Sequence, residues 1–235
     1  VYGQLTGTRA ESDDYSDGNG NEVHSRYLRW SGNAALGWTP DERTRLELSG
    51  ALSDGEAAYA DRAMDGVKFA RDNLGLRFER QLAGPHVQAI EAQAYYNYVD
   101  HVMDNYSLRA FAPSMTMPFR SVSNPDRETT GGRFTADLAF GERITATVGV
   151  DLQENRHSLR STMNESMMPY EKMKRAEDGR FRNAGVFGEL TLAAGPSGRV
   201  ITGLRIDDWY AQDSREMLRV GMTAVPNPPA DEERN

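Results

Sequence analysis

Apolar and polar residues alternate along most of this chain. In residues 144–153, Ile144 and Val148 fall on one side while Thr147 and Asp151 fall on the other. A repeat of two is the period of a β-strand, whose successive side chains point to opposite faces. The same alternation recurs at 27–38, 45–53, 73–82, 95–109 and 133–140, and near 1–8, 183–194 and 199–210. The pattern therefore predicts an all-β chain of about nine strands.

The connections between these strands are predicted to alternate in length. Short ones lie around 39–44, 83–86, 141–142 and 195–198, and long polar ones at about 9–24, 54–72, 109–130, 157–182 and 213–235. Short turns on one side and long loops on the other are typical of transmembrane barrels. Trp38 and Phe140 lie beside short turns, where such barrels carry an aromatic girdle. We expect an antiparallel up-and-down transmembrane β-barrel meander, here a partial barrel, in contact with the lipid of a bacterial outer membrane.

Composition agrees with a two-faced sheet. Only 38% of the residues are hydrophobic and the mean hydropathy is -0.67, as expected when one strand face and the long loops are polar. No apolar run approaches the roughly 18 residues of a membrane-spanning helix. A net charge of -8 argues against nucleic acid as a partner. The chain has no cysteine, so these residues contain no disulfide and no thiolate metal site.

Other classes of protein fit the pattern less well. A soluble β-sandwich or propeller also has alternating strands, but its loops should not sort so strictly by side, and no internal repeat supports a propeller. Arginines on strand faces, such as Arg77 and Arg133, fit a watery lumen better than a dry core. An outer-membrane hydrolase is disfavoured because no GxSxG motif is present, so we expect no enzyme activity. A binding or adhesion barrel remains an alternative.

One pair of residues carries candidate metal chemistry. His101 and Met103 lie two apart on a strand predicted over 95–109, so both side chains share the polar face. An imidazole beside a soft thioether is a plausible start of a copper site. The alternative interpretation is a histidine that hydrogen-bonds in a polar lumen beside a space-filling methionine.

Methionines in the predicted long loops are a second signal. Thioethers bind Cu(I) and are poor ligands for hard ions such as Mg²⁺ or Ca²⁺, so these residues could capture copper. The alternative is that they pack the loops against one another. The six residues are Met115, Met117, Met163, Met167, Met168 and Met173.

Four stretches resemble the TonB-dependent copper receptors of Gram-negative bacteria: 59–78, 95–109, 124–133 and 183–190. The resemblance implies a barrel of roughly 22 strands that is plugged by an N-terminal domain. It also implies copper import across the outer membrane, energised by the TonB complex. The family's copper site is shared between plug and barrel, and the barrel's H-x-M pair matches His101 and Met103. The plug's cysteine and methionine have no counterpart here.

The resemblance also implies a domain organisation. We expect residues 1–235 to be a piece of one barrel domain, without the N-terminal plug through which the TonB complex would be contacted. A receptor for a siderophore or another metal chelate, with the same architecture, remains the alternative within transport. The loop arginines Arg120, Arg127, Arg160 and Arg175 would suit a bulky anionic ligand of that kind.

Overall fold

The computed structural model describes residues 1–195, 197–220, 223–227 and 230–234. Within these residues there are nine long strands, and several loops between or after them contain short elements. The strands are β1 Tyr2–Ser12, β2 Tyr15–Ser16, β3 Glu22–Val23, β4 Tyr27–Asp41, β5 Thr44–Ala57, β6 Asp65–Gln81, β7 Val87–Asp104, β8 Val122–Phe140, β9 Ile144–Thr162, β10 Ala176–Ala193, β11 Arg199–Asp213, β12 Met217–Val220, β13 Thr223–Pro226 and β14 Ala230–Arg234. In the described part of the chain, one 3-10 turn, η1, spans Tyr170–Lys172.

The long strands form one meandering antiparallel sheet. Its order is β1-β4-β5-β6-β7-β8-β9-β10-β11-β14, so each long strand pairs with the next one along the chain. The hairpins β2/β3 and β12/β13 lie apart from this sheet, in the loops. The predicted all-β, up-and-down antiparallel fold is confirmed. Within the described ranges, no helix is both long and apolar enough to cross a membrane.

The two faces of the sheet differ sharply in chemistry. The apolar face carries side chains that are 46–68 % exposed, namely Leu36, Leu76, Leu152, Val186 and Ile206. The polar face carries cross-strand ion pairs, such as Arg77 with Glu91 at 3.1 Å and Arg205 with Asp151 at 2.7 Å. Exposed leucine and isoleucine on one face of a sheet require a non-aqueous neighbour, since large exposed apolar patches are rare in soluble monomers.

A conventional core is absent from the described part of the chain. The only buried apolar residues there are Ala58, Val102 and Val122. All three lie at the long-loop end of the sheet, together with the buried polar residues Asp65 and Asn124. The tightly packed part of the molecule is therefore the layer where the long loops meet the strand ends.

Several predicted boundaries were wrong at this end. The connections expected at 54–72, 109–130 and 157–182 are 58–64, 105–121 and 163–175 in the structure. The strands continue because a backbone ladder needs no apolar side chains, whereas the sequence pattern marks only the stretch with an apolar face. Residues 213–235, expected as a loop, contain β12, β13 and β14 among those described.

The candidate strand over 95–109 was also predicted too long. β7 ends at Asp104, whose carboxylate accepts hydrogen bonds from the backbone N–H groups of Tyr106 and Ser107 at 3.0 and 2.8 Å. An aspartate that bonds the backbone two and three residues ahead turns the chain out of the ladder. The five remaining residues of the predicted strand, 105–109, therefore belong to the loop.

The expected lipid contact on the apolar face predicts a position-dependent cost of charge. Val148 lies midway between Ile144 and Leu152 on that face, so Val148→Arg should destabilise the receptor by about 2–4 kcal/mol. Thr147→Arg is the matched control, since Thr147 donates to Asp137 on the polar face at 2.6 Å. Equilibrium unfolding in phospholipid vesicles measures both variants, and equal costs would contradict the assignment of the faces.

Candidate metal centre

His101 and Met103 share the polar face of β7 at its long-loop end. Across the ladder to β6, His101 lies opposite Phe69 and Met103 lies opposite Gly66. Residues two apart on a strand are separated by about 6.6 Å along it, so one ion can be reached by both side chains. The register leaves the predicted face of both residues unchanged, because the one irregularity here, between Gly66 and Lys68, lies in β6.

An aromatic ring fixes the His101 side chain. The Phe69 and His101 rings stack with centroids 4.5 Å apart at an interplanar angle of 26°. Gly66 makes room for this arrangement, since a Cβ there would lie 2.2 Å from the Phe69 ring. The bulge between Gly66 and Lys68 restores Gly66 to the face that carries Phe69. The sequence reasoning missed both Phe69 and Gly66.

His101 has one unsatisfied ring nitrogen. Its Nε2 is buried and has no hydrogen-bond partner among the described residues. A buried polar atom without a partner costs free energy, and in native proteins it commonly marks a functional position. A neutral imidazole nitrogen with a free lone pair is a good ligand for copper. The donor set therefore fits a soft or borderline metal ion.

The neighbouring carboxylate is engaged elsewhere. Asp100 accepts from Lys68 Nζ at 2.8 Å and from Asn124 Nδ2 at 2.5 Å, and the Arg175 guanidinium lies 3.4 Å away. These contacts lie on the opposite face of β7 from His101. Among the described residues, no group of three or more His, Cys, Asp or Glu could hold a metal ion.

A buried aspartate joins three loops close to this pair. The Asp65 side chain is fully buried, and it accepts from Arg109 Nε at 2.7 Å and from the Tyr59 N–H at 2.9 Å. Nε2 of His24 lies 3.0 Å from the same carboxylate. Asp65 immediately precedes Gly66, the residue opposite Met103. This loop clasp was not predicted, because its members are far apart in sequence.

Arg109 is the centre of the loop clasp. Besides Asp65, it donates to the carbonyl oxygens of Arg62 and Tyr59, each at 2.8 Å. The hydrogen bond to Asp65 raises the pKa of the Arg109 guanidinium further above its ordinary value. Nearby in the same loop, burial raises the pKa of the Tyr106 phenol to about 12. Both groups keep their protonated forms at neutral pH.

The six candidate methionines all lie in two loops at the long-loop end. Met115 and Met117 belong to 105–121, and the other four belong to 163–175. The loops are joined by hydrogen bonds, including Ser121 Oγ to the Met163 carbonyl at 3.2 Å. Met115 and Met167 are highly exposed, whereas Met117 is half-buried with its sulfur 3.9 Å from Asn105 Nδ2. The Met117 sulfur therefore already accepts a hydrogen bond within its own loop.

The family model described as "TonB dependent receptor-like, beta-barrel" matches residues 7–230. The chain belongs to the family of TonB-dependent receptor β-barrels, a class of receptors and transporters. No curated protein sequence matches the chain.

Solved structures show the same architecture. The copper transporter OprC is similar with 42% identity and a TM-score of 0.91, over 99% of this chain and 37% of OprC. The FrpB iron transporter from Neisseria meningitidis has 15% identity and a TM-score of 0.62, over 89% of this chain and 37% of FrpB. P. aeruginosa FpvA bound to pyoverdines has 8% identity and a TM-score of 0.64, over 97% of this chain and 35% of FpvA. At these low identities, FrpB and FpvA show the fold alone. The chain spans between a third and two fifths of each of these proteins.

The loop clasp predicts a local opening. Arg109→Ala removes the only arginine bonded to the buried Asp65 among the described residues, and an unpaired buried carboxylate is strongly unfavourable. Cleavage of loop 58–64 by added protease on intact cells should rise several-fold. Arg120→Ala is the control from the same loop, since Arg120 lies over the Tyr106 ring at 5.4 Å and not in the clasp. Equal cleavage of the two variants would show that Arg109 does not hold the loop.

Proposed function

We propose that this chain forms part of the barrel of an outer-membrane TonB-dependent receptor that binds and imports copper. In this proposal the apolar face contacts lipid and the polar face lines the lumen. His101 and Met103 supply the barrel's ligands. A plug outside residues 1–235 supplies the remaining ligands and the contact with the TonB complex. The protein performs no bond chemistry, and its mechanism is selective binding followed by energised rearrangement of the plug.

The buried, unpartnered Nε2 of His101 is the observation that carries this proposal. The stacked Phe69 ring holds the imidazole at one edge of the lumen, and Met103 lies two residues away on the same face. Nitrogen and thioether donors together prefer copper over Mg²⁺ or Ca²⁺. The similarity to the copper transporter OprC over 99% of the chain adds independent support.

A metal-chelate receptor is the second candidate within this class. The fold similarity to FrpB and FpvA keeps it open, but it carries no residue-level argument. Two of the arginines that could bind an anionic chelate, Arg160 near the end of β9 and Arg175 in loop 163–175, bond to other side chains of the protein. Arg160 donates to Asn124 at 2.7 Å, and Arg175 lies 2.9 Å from Asp126. The copper proposal stands first because particular residues support it, above all His101 with its unpartnered Nε2.

Metal analysis of the full-length receptor tests the lumen pair. His101→Asn with Met103→Leu keeps the side-chain sizes close to the original and removes the imidazole and the thioether. We expect about one copper per chain in the parent and loss of that copper in the double variant, with unchanged folding in detergent. His86→Ala, at a short turn, is the matched control that should keep copper. Stoichiometric copper in the double variant would show that the ligands lie elsewhere.

The loop methionines are proposed to capture copper and pass it to the lumen pair. Replacing all six with leucine conserves volume and removes the thioethers, so loop packing is retained. Uptake at low copper concentration should fall several-fold, while uptake at saturating copper should change little. Radiolabelled copper uptake by intact cells measures both. Identical uptake at all concentrations would leave these methionines with a packing role only.

A further inference from the structure

The apolar face is indented where β8, β9, β10 and β11 lie side by side. The groove there has a volume of about 860 Å³, and its lining includes Gly132, Leu152, Glu154, Arg182, Ala184 and Tyr210. Gly132, Leu152 and Ala184 are register partners, so they form one row across three strands. The indentation follows from this row, because glycine and alanine leave Leu152 standing between two small neighbours.

A second, wholly apolar indentation continues from the first toward the short turns. It has a volume of about 530 Å³ and is lined by Phe134, Val148, Val186, Gly188 and Leu204. Phe134 and Val186 belong to the row directly next to the Gly132 row on the same face. The two indentations therefore form one trough. Its long-loop end is polar and its other end is apolar.

The polar end of the trough carries a triad of charged side chains. The Glu154 carboxylate accepts from Arg156 Nε at 2.5 Å and from Arg182 Nε at 2.5 Å. Two guanidinium groups around one carboxylate leave a net charge of +1, and both arginines stay about half exposed. Each guanidinium has five N–H donors, so further acceptors can be bound. Asp208 also lines the groove, and it lies opposite Ala184, one row nearer the short turns than Arg182.

The triad lies at the edge of the apolar band. Along β9 the apolar face carries Ile144, Ala146, Val148, Val150 and Leu152, and then Glu154. A tilted strand crosses the hydrocarbon of a membrane in about 9–11 residues. Residues 144–152 fill that length, so Glu154 and its arginines lie at the level of lipid headgroups. This is the long-loop end, which faces the cell exterior in such barrels.

We propose that this trough binds a phosphorylated glycolipid of the outer leaflet. A phosphate bonds to Arg156 and Arg182, and an acyl chain lies along Gly132 and Ala184 toward Gly188. Arginine binds phosphate through paired N–H donors, and an apolar channel that begins beside it matches the hydrocarbon chain of the same molecule. The inference goes beyond copper import and depends only on the proposed position of the sheet in the membrane.

Native mass spectrometry of the full-length receptor in detergent tests the site, with bis-phosphorylated lipid A as the probe. The parent should retain one lipid, and Arg156→Ala with Arg182→Ala should weaken binding at least tenfold. Lipid A without its phosphates should bind the parent as weakly as the probe binds the double variant. Arg133→Ala is the matched control, since Arg133 lies over the Phe187 ring on the polar face at 4.6 Å.

A second variant separates loss of the site from loss of folding. Ala184→Leu breaks no side-chain hydrogen bond and fills the groove, so it should also weaken lipid binding while the receptor stays folded. Equal binding by the parent and both variants would overturn the proposal. If the parent binds phosphatidylglycerol as tightly as lipid A, the site is a general anionic-lipid site and the glycolipid proposal is wrong. The lipid measurement needs no copper, and copper content is measured separately. The glycolipid proposal and the copper proposal can therefore be contradicted independently of each other.

Discussion

The whole structure depends on an antiparallel ladder of backbone hydrogen bonds that runs from β1 to β11. From β1 to β11, each long strand pairs with its sequence neighbour, and the residues that face one another keep a common side. Inside a bilayer this pairing is compulsory, because an unpaired backbone N–H or C=O group finds no water there. Because paired residues point to the same side of the sheet, the ladder also keeps the apolar and polar faces continuous from strand to strand. One register therefore decides which side chains lie on the apolar face and which lie on the polar face.

The candidate metal pair is positioned by departures from this regularity. The ladder alone would place His101 and Met103 on the polar face, but it would not orient the imidazole. The bulge between Gly66 and Lys68 and the absent side chain at Gly66 let the Phe69 ring pack against His101. Bulges commonly re-aim side chains beside functional sites. The bulge in β6 thus helps to orient the His101 side chain of β7.

The sequence predicts those features of the fold that depend on the alternation of apolar and polar residues. Alternation marks the stretch of each strand with an apolar face, so the strand order and the shared face of His101 and Met103 could be inferred. It could not mark where the strands end, because β8 continues through Asn124 and Asp126 after the apolar face has stopped. The clasp of Asp65, His24 and Arg109 could not be predicted from the sequence either. Contacts between distant loops leave no local pattern in a single sequence.

The hydrogen bonds between loops 105–121 and 163–175, which carry the six methionines, constrain how the sequences of the two loops can evolve. Ser121 bonds the Met163 carbonyl, and the Glu165 N–H bonds the Arg120 carbonyl at 2.8 Å. An insertion in either loop would displace the backbone of the other. The two segments are therefore constrained to diversify together. A substitution that reshapes one of them would favour compensating changes in its neighbour.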